Sequence, residues 1–155
     1  MGRVDDRLAE LGLTLPDVVP PVAAYVPAVT SGSLVLTSGQ LPMVDGVLPV
    51  TGKVGEGNGL VPPERAKELA ATCALNALAA VRSQVGDLDR IRVVKVVGFV
   101  ASDPSFTGQP GVVNGASELL GEVLGADGAH ARSAVGVAVL PLDAPVEVEI
   151  MVEVR

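Results

Sequence analysis

The sequence predicts an α+β domain of order ββαβαββ, with two helices packed on one face of a mixed sheet. Three observations carry this expectation. Two segments, 63–85 and 112–124, repeat apolar residues at helical spacing. The segments around them are rich in Val and Ile or alternate residue by residue, as strands do. Strands and helices also follow one another in an order that lays the helices on one side of a sheet. The chain has 155 residues, the size of one domain. Its apolar fraction of 48% excludes disorder as the main state, and with 2% aromatic residues the core must be built from Val, Leu and Ala.

The elements follow in order. Val4, Leu8 and Leu11 fall at helical spacing before Gly12, which predicts a short helix over 4–11. Pro16 to Pro21 holds three prolines and reads as an extended connector. Residues 1–21 are therefore taken as an N-terminal extension and 22–155 as the domain. Tyr25 to Thr30 and Leu34 to Thr37 read as strands of a hairpin turned at Ser31-Gly32-Ser33. Residues 40–58 are broken by Pro and Gly and read mostly as loop. Pro63 to Val85 is the longest helical segment, opened by Pro62-Pro63 and closed by Gly86. Its stripe of Ala66, Leu69, Ala70, Cys73, Ala77, Ala80 and Val81 is small enough for close approach to a sheet.

Ile91 to Val100 is nearly continuous in Val and Ile, as in a strand buried on both sides or nearly so. A loop over 102–110 leads to the second helix, predicted over 112–124, and Gly125 to Gly128 is a turn. Arg132 to Leu140 and Val146 to Val154 are the last two predicted strands. In the final one Val146, Val148, Ile150, Val152 and Val154 face one way, and Glu147, Glu149, Met151 and Glu153 the other. Three carboxylates cannot all enter a dry core, so that face meets water or another subunit around a polar site.

Composition narrows the function. The net charge is −7 and the pI about 4.6, with basic residues scattered singly, which disfavours a nucleic-acid partner. One Cys excludes an intrachain disulfide, and the start of the chain lacks the apolar run of a signal peptide, so the expected compartment is the cytoplasm. No run is apolar enough to span a membrane. One His and one Cys make a zinc site improbable, and neither a Gly-x-Ser-x-Gly elbow nor a Walker loop is present. The glycines at 55, 57 and 59 follow no clear strand and read as a loop.

What remains is a small polar set: Tyr25, Ser38, Asn114, Arg132 and Glu147. Here a resemblance enters. Leu34-Val-Leu-Thr-Ser-Gly-Gln-Leu-Pro42 resembles the "LVxTSGQxP" run of the RidA (YjgF-like) family of reactive-intermediate deaminases, also called the endoribonuclease L-PSP family. Tyr25 stands at the family's distance before it. Val113-Asn114 resembles the family's helical "VN" pair, 131–141 its "ARSxVxVAxLP" run, and 146–149 its closing "VEIE" strand. The four blocks stand in the family's order over about residues 22 to 154.

The resemblance implies a chorismate-mutase-like fold, assembled as a homotrimeric barrel with pockets between subunits. It implies hydrolysis of 2-imino acids to 2-oxo acids and ammonia, without metal or organic cofactor. Arg132 would hold the substrate carboxylate with its planar fork, and Glu147 would activate water. Tyr25, Ser38 and Asn114 would line the pocket. Ala134 stands where many members have Cys, and the chain is longer than typical members. His130 stands two residues before Arg132, so both lean to one strand face.

Read without the resemblance, each residue has a plainer role. Arg132 fits a strand-end arginine paired with a surface carboxylate. Tyr25 fits a core-edge aromatic, Ser38 a turn residue bonding nearby backbone, and Asn114 a helix residue bonding its own turn. His130 fits a surface or interface position, and Cys73 a buried small apolar residue. Nor does Arg132 by itself require catalysis. A module that only binds small carboxylates would keep it, and an endoribonuclease is a third, less favoured reading.

Overall fold

The computed structural model describes residues 1–18 and 24–155. The end of the proline-rich connector and the boundary drawn between residues 21 and 22 lie outside the described residues. Three helices are α1 (Arg3–Glu10), α2 (Pro63–Val85) and α3 (Gln109–Leu124). Five strands are β1 (Ala28–Ser31), β2 (Leu34–Thr37), β3 (Ile91–Ala101), β4 (Ala131–Val137) and β5 (Val146–Val154). They form one mixed sheet in the order β1-β2-β5-β3-β4. The pair β3–β4 is parallel and the other neighbours are antiparallel.

The core lies between this sheet and α2 and α3. The expected stripe of α2 is buried throughout, with Ala74 and Leu78 beside it. From the sheet come Val35, Val96, Val100, Val146, Val148, Ile150 and Val152. Small residues let the layers approach closely. A Cβ on Gly98 of β3 would lie 2.4 Å from Val113 Cγ2 of α3, and one on Gly115 only 1.9 Å from the Lys67 carbonyl oxygen of α2. These two glycines therefore set where α3 lies, over β3 and against α2.

The short N-terminal helix joins this core. Val4 and Leu8 of α1 are buried in it. Gly2 brings no capping side chain, so the first turn takes its acceptor from elsewhere. The Asp89 carboxylate accepts from the backbone N–H groups of Arg3 at 2.7 Å and Val4 at 2.8 Å. Asp5 pairs with Arg82 of α2, which lowers its carboxyl pKa.

Three expectations need correction. The first strand begins at Ala28 and not at Tyr25, because Pro27 has no N–H to give a ladder; its carbonyl instead accepts from Ser38 N at 2.8 Å. The fourth strand ends at Val137 and not at Leu140. Its neighbour β3 ends at Ala101, and the chain then turns at Pro141–Asp143, where Leu142 and Asp143 take positive φ. Within a single chain β3 is buried on one face only. Its other face carries half-buried Val97 and Phe99 beside Lys95.

That open face is apolar over much of its extent. Val29, Leu36 and Val135 are exposed on it, and Met151 is half-buried among them. A shallow depression of about 120 Å³ there is lined by Leu36, Lys95, Val97, Glu149 and Met151, among others. Among the described residues no helix is long and apolar enough to cross a membrane.

Candidate functional site

Arg132 is the second residue of β4, opposite Val96 of β3. Residues paired across a ladder point to the same face of the sheet. Val96 is fully buried under the helices, so Arg132 rises on the helical side. There its Nη1 donates to Asn114 Oδ1 at 2.7 Å and to Ser117 Oγ at 3.3 Å. Its Nη2 donates to the Pro110 carbonyl oxygen at 3.3 Å. Asn114 and Ser117 are three residues apart on α3 and so share a helix face. The contact between Gly98 and Val113 brings that face over β4, since Gly98 pairs with Ala134. The small side chain at 134 lies half-buried against the core, on the face that carries Arg132.

Three of the five guanidinium N–H groups are thus held. Among the described residues, Nε–H and the second Nη2 hydrogen have no protein acceptor. A carboxylate offers two oxygens to such a pair. Arg132 bonds neutral oxygens rather than a surface carboxylate, so the ion-pair reading of a strand-end arginine does not describe it.

Glu147 is the second residue of β5, opposite Phe99. Its neighbours Val146 and Val148 are fully buried toward the helices, so Glu147 points to the open face. Burial, and then the charge of Glu149, raise its carboxyl pKa. The backbone at Gly39 lies hard against this carboxyl: a Cβ there would come within 2.3 Å of Oε1 and 2.7 Å of Cδ. A bulge makes this approach. Leu36 pairs with Met151, but Gln40 pairs with Val148, a slip of one residue. Thr37 Oγ1 fills the gap by accepting from the Ile150 N–H at 3.0 Å.

Ser38 sits in this bulge and donates its hydroxyl to the Val26 carbonyl at 2.6 Å. It ties the chain before β1 to the end of β2, a bond across twelve residues rather than the local turn bond expected of it. Tyr25 precedes Val26 and is 58% exposed. The predicted residues therefore fall into two groups. Arg132 and Asn114 meet on the helical side of β4, while Ser38 and Glu147 gather at the end of β2, with Tyr25 beside Val26. One chain places Arg132 and Glu147 on opposite faces of its sheet.

Sequence reasoning missed three participants. Ser117 could have been found as the residue one turn after Asn114. Gly39 lay inside the quoted run, but its role depends on Glu147 more than a hundred residues away. Pro110 contributes a backbone carbonyl, for which no side chain gives a signal. His130, expected on the face of Arg132, places its ring Nε2 2.8 Å from Ser117 Oγ. Cys73 is fully buried on α2, its thiol pKa raised by burial, as expected of a packing residue.

Fold and blocks together define a class of protein. Residues 5–154 match the family described as "YjgF/chorismate_mutase-like, putative endoribonuclease", and the chain belongs to it. It is 45% identical to Protein TCP17 of Trypanosoma cruzi, over 99% of this chain and 96% of that one. The crystal structure of Atu1372 from Agrobacterium tumefaciens is 48% identical and covers 99% of this chain and 93% of that one, with a TM-score of 0.89. E. coli TdcF, solved with bound serine, shares the fold at 24% identity, covering 88% of this chain and 91% of that one, with a TM-score of 0.63.

Proposed function

We propose that the protein hydrolyses 2-imino acids to 2-oxo acids and ammonia in clefts between subunits of a homotrimer. The observation that carries this reading is the state of its two charged groups. Arg132 is held by three bonds and two of its N–H groups have no acceptor among the described residues, while Glu147 is a half-buried carboxylate with raised proton affinity.

Arg132 takes the substrate carboxylate bidentately, which fixes the C=N carbon. The Glu147 carboxylate accepts a proton from water as the water oxygen bonds to that carbon. The C=N π electrons move to nitrogen, which takes up a proton. In the tetrahedral adduct the hydroxyl proton passes by way of the Glu147 carboxylate to the nitrogen, which leaves as ammonia as the C=O bond forms. Water and imine are consumed, and no electrons are gained or lost. Asn114 supports the Arg132 guanidinium, while Ser38 and Tyr25 flank the water side.

Because the two groups stand on opposite faces of one sheet, a substrate touching both lies between two chains. The open apolar face of the sheet supports such an assembly, since burying it removes Leu36, Val135 and Val29 from water.

The test is ammonia release from 2-iminobutanoate generated in situ. Wild type accelerates it, while Arg132→Ala and Glu147→Gln lose at least about a hundredfold. Glu147 acts as base only when ionised, and burial raises its pKa above the ordinary glutamate value, so the rate rises with pH through that raised pKa and then levels off. A folded assembly that gives no acceleration overturns the reading. Serine bound to TdcF supports a second one, a module that binds small carboxylates without turnover. That reading predicts saturable binding lost in Arg132→Ala and no ammonia. The family description also names an endoribonuclease, against which stand the net charge of −7 and a single His.

A further inference from the structure

We propose that Ser117 and His130 form a positioning relay that orients the Arg132 guanidinium for the substrate carboxylate. The proposal rests on the reading of Arg132 as carboxylate anchor and extends it to two residues that do not themselves touch substrate.

With His130 neutral, the hydrogen-bond directions follow from both ends. His130 Nδ1 lies 2.6 Å from the Gly128 carbonyl oxygen. A carbonyl only accepts, so Nδ1 carries the ring hydrogen. In the neutral ring Nε2 is then a lone pair, and it accepts from the Ser117 hydroxyl at 2.8 Å. With its hydrogen committed, Ser117 Oγ presents only lone pairs and accepts from Arg132 Nη1 at 3.3 Å. A guanidinium only donates, so the chain from Arg132 through Ser117 and His130 to the backbone runs in one direction.

The far end of this chain is rigid. Gly128 is buried, and a Cβ there would lie 2.4 Å from the Leu120 carbonyl oxygen, so its turn is pressed against α3. Ser117 stands on the same helix. Thus α3 holds Arg132 twice, directly through Asn114 and Ser117 and indirectly through the turn that seats His130. A free arginine has many rotamers, and holding it before substrate arrives lowers the entropy cost of binding. With Nη1 committed to Asn114 and Ser117, the N–H groups on Nε and Nη2 that have no acceptor among the described residues are left for the ligand.

The experiment uses the full chain with pyruvate as probe. Binding is measured by calorimetry and turnover by ammonia release. Nitrogen NMR of the imidazole needs no assignment, because the chain holds one His. Ser117→Ala and His130→Ala weaken pyruvate binding and raise KM about tenfold, with kcat within about twofold. Ser117→Thr and His130→Gln, which keep a hydroxyl or an acceptor, recover most of the loss. In the wild type the ring hydrogen sits on Nδ1, and the Nε2 signal moves when pyruvate binds. In Ser117→Ala that movement disappears while weakened binding persists.

If Ser117→Ala and His130→Ala bind pyruvate like wild type while Arg132→Ala does not, the relay is overturned and the anchor stands. A ring hydrogen found on Nε2 overturns the relay on its own. Unchanged binding in Arg132→Ala, or no binding of pyruvate by the wild type, removes the anchor and the relay together.

Discussion

Gly39 shows how one missing side chain sets the geometry of the carboxylate proposed to activate water. The Glu147 carboxyl sits in the space a side chain at Gly39 would take: a Cβ there would lie 2.3 Å from Oε1. The clash partner is the end of a flexible side chain, so Gly39→Ala leaves the fold intact and turns the carboxylate aside. The expected outcome is an unchanged melting curve with a rate lower by about a hundredfold, since a displacement of about 1 Å is enough for that. Ammonia release measured beside thermal melting checks both halves. A full-rate variant would mean that the carboxylate position in the bulge does not matter to the chemistry. Arg132 teaches the complementary lesson: its bonds to Asn114, Ser117 and Pro110 use neutral oxygens, which fix the guanidinium without neutralising it.

Among the elements, α3 does most to build the site. It crosses β3 at Gly98 and α2 at Gly115, and these contacts place Asn114 and Ser117 over Arg132. Against α2 the obstacle is the backbone carbonyl of Lys67, which cannot swing away as a side chain would. Gly115→Ala therefore pushes two helices apart and costs about 2–3 kcal/mol. In a domain of this size that lowers Tm by roughly 5–10 °C. Calorimetry checks this, and a Tm equal to wild type would mean that the helices slide without cost. Because α3 carries Asn114, the same variant is expected to lose carboxylate binding in proportion to the helix shift.

For the whole molecule, the opposed faces of Arg132 and Glu147 have a direct consequence in a symmetric assembly. In the proposed trimer each cleft would take its arginine from one chain and its glutamate from a neighbour. Arg132→Ala and Glu147→Gln, each inactive alone, then complement one another when mixed through unfolding and refolding. In equal mixtures about a quarter of the clefts hold both groups, and activity returns to about that fraction of wild type. Light scattering on the same samples is expected to give three times the 15.7 kDa chain mass. Absence of complementation in a confirmed trimer would place both groups in one chain's site and contradict the sheet-face argument.

Much of the architecture was legible in the sequence because local periodicity carries it. The ranges of α2, β2 and β5 match their expected limits, and the alternation of β5 separates the buried valines from the carboxylates. The misplaced ends of β1 and β4 depended on a partner strand or a proline carbonyl, neither of which leaves a periodic signal. The residues of the candidate site stood out by chemistry and by the four quoted blocks. Their relation did not, because it depends on strand register: pairing with Val96 sends Arg132 to the helical side, and pairing with Phe99 sends Glu147 to the other. The sequence by itself determined the elements, the family and the chemical types at the site, since these are written in local pattern and composition. Only the tertiary structure decided that the two charged groups face apart, that Gly39 seats the carboxylate, and that Ser117 joins Arg132 to His130. Those relations join segments between 13 and more than a hundred residues apart, and only sheet pairing and helix packing bring them together.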